Sequence, residues 1–242
     1  DGSLQRTALN EDIIIKNSTF TGNAAGDIVV FTANDVIIEQ NNFDYAVRSF
    51  ASDNITIRGN IFKSREPQSL EAISIRSFVH FDNEEDAQGE ELNHHWQVYD
   101  NTIKEYAKGV IIAGQSHDVK NNIIENCIYG VFLIDNLTDS TFSNNNIIST
   151  IEGSSGYQNI VDVENINNLS IINETISVQK NPVSLYRLNF NSTLSSSQIT
   201  FKNCNFTSAI TEGLIATRQS KNITYDSNNS NVDFWIREDC EN

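Results

Sequence analysis

The sequence predicts a right-handed parallel β-helix, a solenoid of about nine coils, from three observations. One eight-residue pattern recurs along the chain, the copies are spaced like solenoid coils rather than hairpins, and a second short strand lies between neighbouring copies.

The pattern has an apolar third position, a polar Asn-rich turn and an apolar eighth position. Its copies are IIIKNSTF ending at Phe20, VIIEQNNF at Phe43, ITIRGNIF at Phe62, WQVYDNTI at Ile103, HDVKNNII at Ile124, STFSNNNI at Ile147, LSIINETI at Ile176, ITFKNCNF at Phe206 and ITYDSNNS at Ser230. Successive ends lie 23, 19, 41, 21, 23, 29, 30 and 24 residues apart, so seven of the eight intervals fit one coil each.

The intervening segments DIVVF, AVRSF, AISIRS, GVIIAG, GVFLID, IVDVEN, VSLYRL and GLIATR alternate with period two and carry β-branched or aromatic residues. Gly109, Gly130 and Gly213 open three of them. In such a coil each strand bonds to its equivalent about 4.8 Å along the axis, and nine coils make a rod of roughly 40 Å.

Inward residues then stack on their own kind. One column is expected from Ile15, Ile38, Ile57, Val98, Val119, Phe142, Ile171, Phe201 and Tyr225. A second holds Phe20, Phe43, Phe62, Ile103, Ile124, Ile147, Ile176 and Phe206. At the corner, Asn41, Asn60, Asn101, Asn122, Asn145 and Asn228 suit a tight turn, because Asn tolerates left-handed backbone and can form amide ladders between coils. The repeat itself writes N-x-S/T triplets, as at Asn54 and Asn168, so these say little about glycosylation.

The chain reads as one domain, 1–242. The interval of 41 hides an excursion over 82–95, with carboxylates at Asp82, Glu84, Glu85, Asp86, Glu90 and Glu91 before His94 and His95. It is either a hard-cation site or a solvated acidic loop without core contribution. Trp96 opens the next coil as a packed residue.

Composition excludes several classes. A formal charge of −16 repels polyanions, so nucleic acid is excluded as a partner. No run approaches the apolar length of a membrane span, and no signal segment opens the chain, so any export signal has already been removed. Three cysteines, Cys127, Cys204 and Cys240, are too few for a disulfide scaffold; only Cys204 and Cys240 are expected near enough to pair.

In the second strands, taking Val183, Leu185, Leu214 and Ala216 as inward leaves Arg48, Arg76, Arg187, Arg218, Asp135, Asp162 and Glu164 on an outward face. A row of Arg matches carboxylates bidentately and suits an acidic polysaccharide or cell-surface glycan. The alternative is a neutralised, solvated sheet.

Through its NITIRGNIF type of coil the chain resembles the pectate-lyase-like parallel β-helix superfamily, whose lyases, hydrolases, epimerases, tailspikes and adhesins imply a secreted or cell-surface protein. EAISIRS, Glu71 to Ser77, and GVIIAGQSHDVKNNIIEN, Gly109 to Asn126, resemble coils of the alginate lyase and chondroitinase B family. That resemblance implies a calcium ion with Glu71 as a ligand, and it puts Arg76 on the position of the catalytic base. Arg48, Arg187 and Arg218 remain as substrate-binding candidates. A guanidinium stays protonated and makes a poor base, and Ser69 stands where a second Glu is expected, so glycan binding with little or no lyase activity is anticipated. The other class is a structural or adhesive surface rod. Neither terminus reads as a capping helix, so the chain is a fragment or its ends meet other subunits in end-to-end self-association.

Overall fold

The computed structural model describes residues 11–22, 27–31, 33–50, 52–67, 71–76, 94–133, 137–150, 159–163, 166–179, 184–188, 196–208, 215–217, 220–231 and 234–236. Among these the chain is all-β and winds into a right-handed parallel β-helix. Three sheets of nine parallel strands each run the length of the rod. Each coil contributes one strand to each sheet, as in Gln97–Tyr99, Thr102–Lys104 and Lys108–Ile112 of the fourth coil.

Both expected columns form. Ile57, Val98, Val119 and Phe142 pair in register in the first sheet and are buried. Phe62, Ile103, Ile124 and Ile147 do the same in the second, and Phe20, Phe43 and Phe62 stack ring on ring at 5.0 and 4.7 Å. The ends of the columns differ from expectation. Tyr225 keeps its register with Phe201 but is 37% exposed, because no described strand stacks beyond it. Ile15 and Phe20, in the first coil, are only partly buried for the same reason.

The corner is built differently from the sequence reading. The left-handed residues are Gln40, Gly59, Asp100, Asn121, Asn144 and Ser227, with φ of 54 to 62°, one position before the expected asparagines. The sharp bend they make turns the next side chain inward. Asn41, Asn60, Asn101, Asn122 and Asn145 are therefore buried, and each carboxamide oxygen accepts both the backbone N–H and, between successive asparagines, the Nδ2 of the preceding one. Their own Nδ2 groups also donate to the carbonyls of Ile15, Ile38, Ile57, Val98 and Val119. In the seventh coil Glu174 replaces Asn and its Oε1 accepts from Asn145 N and Nδ2 at 3.0 and 2.8 Å. Cys204 and Asn228 occupy the same corner in the last two coils.

A further inward column of the first sheet carries Ile55, Trp96, His117, Ser140 and Leu169. Trp96 is packed as expected and donates Nε1–H to the Ser52 carbonyl at 2.9 Å. His117 accepts Trp96 N–H at Nδ1, and its Nε2 donates to the Ala113 carbonyl at 3.1 Å. The third sheet packs closely against the second at Gly109, where a Cβ would lie 2.5 Å from the Gly130 carbonyl and 3.0 Å from Ile124.

The excursion is shorter than expected at its end. His94 bridges Asp53 and Gln115 in the sheet, and its Nδ1 lies 3.0 Å from Asp53 Oδ1, so His94 and His95 belong to the coil. Residues 82–93 lie outside the described residues. Cys127 and Cys204 are buried and free, three coils apart; Cys240 lies outside the described residues.

Ser49 sits in an inward column between Val30 and Ile75, and its hydroxyl has no hydrogen-bond partner. Removing an unsatisfied buried hydroxyl should help folding, so Ser49→Ala is expected to stabilise the rod by about 1 kcal/mol, read as a higher urea midpoint at unchanged slope. A loss instead of a gain would show that the hydroxyl contributes to packing.

Candidate functional site

The third sheet positions the expected cations. Period-two alternation turns Ile73 and Ile75 inward and puts Ser74 and Arg76 on the alternate positions of the strand. Register pairs Arg48 with Ser74 and Phe50 with Arg76, so Arg48 and Arg76 occupy adjacent coils. Arg48, Phe50, Glu71 and Ser74 line a cleft of about 170 Å3 on this face.

Within it the Arg48 guanidinium is half-buried, and its Nε is buried without a hydrogen-bond partner. Its Cζ lies 5.8 Å from the centre of the Tyr45 ring, and that of Arg65 lies 5.1 Å from it. Tyr45 thus presents its negative ring face to two guanidinium groups, which holds them near one another at little electrostatic cost. Glu71 Oε1 is 3.9 Å from Lys108 Nζ, its register partner in the next coil. On a chain of net charge −16, Arg48, Arg65 and Lys108 make a local concentration of positive charge within three neighbouring coils.

Calcium prefers six to eight oxygen ligands. The described residues around Glu71 do not fit such a site, since an ammonium faces the carboxylate and Arg48 shares its cleft. Nor do the described residues contain any group of three or more His, Cys, Asp or Glu placed to hold a metal.

No protein-family model matches the sequence, and no curated protein sequence does. Solved structures do. The surface adhesin PfbA of Streptococcus pneumoniae superposes with a TM-score of 0.59 at 11% identity, over 97% of this chain and 72% of that one. The A-module of a mannuronan C-5 epimerase of Azotobacter vinelandii gives 0.62 at 13% identity, over 91% and 58%. The chain shares the parallel β-helix fold of these structures. A tailspike protein of an E. coli bacteriophage, solved with a pentasaccharide, gives 0.59 at 13% identity; this β-helix spans 41% of its length.

The fold brings only part of the expected face together. Arg187 falls in the row of Arg48, but Ser74, Ile111, Phe132 and Asp162 stand between them, a separation of about 24 Å. Ser74 and Ile111 are buried although they lie in the outward row. Ala216 pairs with Arg187 and Trp235, so by register it shares the row of Arg187 rather than, as expected, that of Leu185. The side chains of Arg76, Asp162 and Arg187, and the residues Asp135, Glu164, Val183, Leu214 and Arg218, lie outside the described residues. Leu185 is buried as expected.

Tyr45, Arg65 and Lys108 were not legible as site residues. Tyr45 and Arg65 lie in turns outside the repeating pattern, and Lys108 reaches Glu71 only through the pairing of their strands. A signal existed for Tyr45 alone, an aromatic three residues before an Arg near the start of a strand.

Proposed function

We propose that this protein is an extracellular or surface β-helix that binds an acidic polysaccharide at the Arg48 cleft, without turning it over. Arg48 carries the reading: a half-buried guanidinium that lines a cleft, with Arg65 and Lys108 close by, matches the planar geometry of a carboxylate. The epimerase named for mannuronan and the tailspike solved with a pentasaccharide support a glycan as the ligand of this fold. Turnover is not part of the reading, because a guanidinium on the expected base position remains protonated.

Titration calorimetry against oligogalacturonate, alginate and chondroitin tests it. Binding of at least one uronate chain is expected, weakening as salt screens the charges, unchanged by chelation of calcium, and lost in Arg48→Ala. No unsaturated product should accumulate in the absorbance assay. Turnover at about 1 per second or faster would make it an enzyme and overturn the non-catalytic reading. Failure to bind any uronate would leave the adhesive rod, the reading that the pneumococcal adhesin supports.

A further inference from the structure

The outer face of the first sheet carries a larger groove, of about 560 Å3, that the Arg48 site does not touch. Asp12, Asp35, Asn54 and His95 form its polar wall. All four are exposed and left-handed, with φ of 52 to 56°, because the chain bends at the start of this sheet in every coil. The bend throws each side chain outward at the pitch of the coils, about 4.8 Å.

Beside this wall runs a floor that begins apolar, with Ile14 58% exposed and Ile37 next to it, and continues through Thr56 and Gln97. Two strong cations of the sheet stand two residues from the lining: Lys16, exposed beyond Ile14, and Arg58, beyond Thr56, which is engaged by Glu39 and by the Tyr99 hydroxyl. In the following coil Asp118 is tied to Lys120 at 2.5 Å, and the groove ends at His95 and Gln97.

We infer that this groove is a second glycan site, for an amino-sugar chain with free amines. One short polar side chain per coil along an apolar floor matches a polymer with a polar group on each pyranose and an apolar ring face. The sign of the ligand follows from the carboxylates. Asp12 and Asp35, with no cation in the lining, repel a uronate and attract an ammonium. The two faces then select glycans of opposite charge, and either site can fail without the other.

The rod's overall charge attracts any polycation, so the test must separate local from global attraction. The probes are the fully deacetylated glucosamine hexamer, its N-acetylated form and a galacturonate hexamer, titrated into wild type and the variants Asp12→Asn, Asp35→Asn and Asp139→Asn. Asn already occupies this left-handed position at Asn54, so the substitutions are compatible with folding. Asp139 holds the same position in the sixth coil, outside the groove.

The glucosamine hexamer is expected to bind, and Asp12→Asn or Asp35→Asn to weaken it about tenfold, the loss of one charge-assisted hydrogen bond. Asp139→Asn should leave it unchanged. An equal loss in Asp139→Asn would reduce the effect to long-range attraction and overturn the site. So would equal binding of the N-acetylated hexamer, or no binding. Oligogalacturonate binding should survive Asp35→Asn and glucosamine binding should survive Arg48→Ala.

Discussion

Replacing Asn101 with leucine is expected to lower the free energy of unfolding by about 3 to 6 kcal/mol, although the two side chains are close in volume. Asn101 Oδ1 accepts from both N and Nδ2 of Asn60, and its Nδ2 donates to the Ile57 carbonyl and to Asn122 Oδ1. Leucine removes all four bonds and strands the Asn60 backbone N–H, which makes no other hydrogen bond, in a site away from water. Each buried group left without a partner costs on the order of 1 to 3 kcal/mol.

The loss falls between the third and fourth coils, in the middle of the rod. A solenoid is held by nearest-neighbour interfaces, so a broken step there should also reduce cooperativity. Urea unfolding should show a lower midpoint and a shallower slope. The control is Asn42→Leu, at an exposed position of the second coil, which should change stability by less than about 0.5 kcal/mol. If the two substitutions cost the same, the ladder contributes nothing beyond the turn.

Glu174→Gln is expected to stabilise the protein by about 4 kcal/mol at pH 8 and by almost nothing at pH 4.5. Burial pushes the Glu174 carboxyl up from 4.5 to about 8, against the two Asn145 donors that favour the anion. The folded group keeps its proton through the window in which the unfolded group has lost it. Stability from this group is therefore complete below pH 4.5 and is lost as pH rises to 8. Glutamine keeps the acceptor on Asn145 and carries no charge at any pH.

His117 works in the opposite direction. Burial lowers it from 6.5 to about 4, its hydrogen bond to the Ala113 carbonyl opposing the shift. It stays neutral in the folded rod while its unfolded form takes up a proton below 6.5, so its contribution is complete above 6.5 and is lost as pH falls to 4. Between about 4.5 and 6.5 the two slopes, each about 1.4 kcal/mol per unit, cancel; above 6.5 only that of Glu174 remains. Wild type should lose about 2 kcal/mol between pH 6.5 and 8, and the Gln variant should not. Parallel curves for the two proteins would show that Glu174 is ionised in the folded state.

The repeat made the coils legible because what it encodes is local. Ile57 and Phe62 face inward by strand alternation across a short turn, and the same turn recurs nine times, so every copy reinforces the reading. Where one position was filled by an unlike residue, the pattern misled or fell silent. Glu174 takes an asparagine's place in the ladder, and His117 takes an apolar place in a core column; the repeat assigned a role to neither.

The Arg face shows the same limit. Sequence alternation alone assigned Ala216 inward and joined Arg48 to Arg187 in one continuous row, yet pairing across the intervening coils puts Ala216 beside Arg187 and buries Ser74 and Ile111 between the two arginines.

The sequence by itself determined the solenoid, its nine coils, two of its core columns and its acidic charge, since each follows from period, spacing or composition within one coil. Only the tertiary structure decided which outward residues become neighbours. Coils of 19 to 41 residues share no common offset, so the contacts of Arg48 with Tyr45 and Ser74, and the groove from Asp12 to His95, depend on the register that hydrogen bonding between coils imposes.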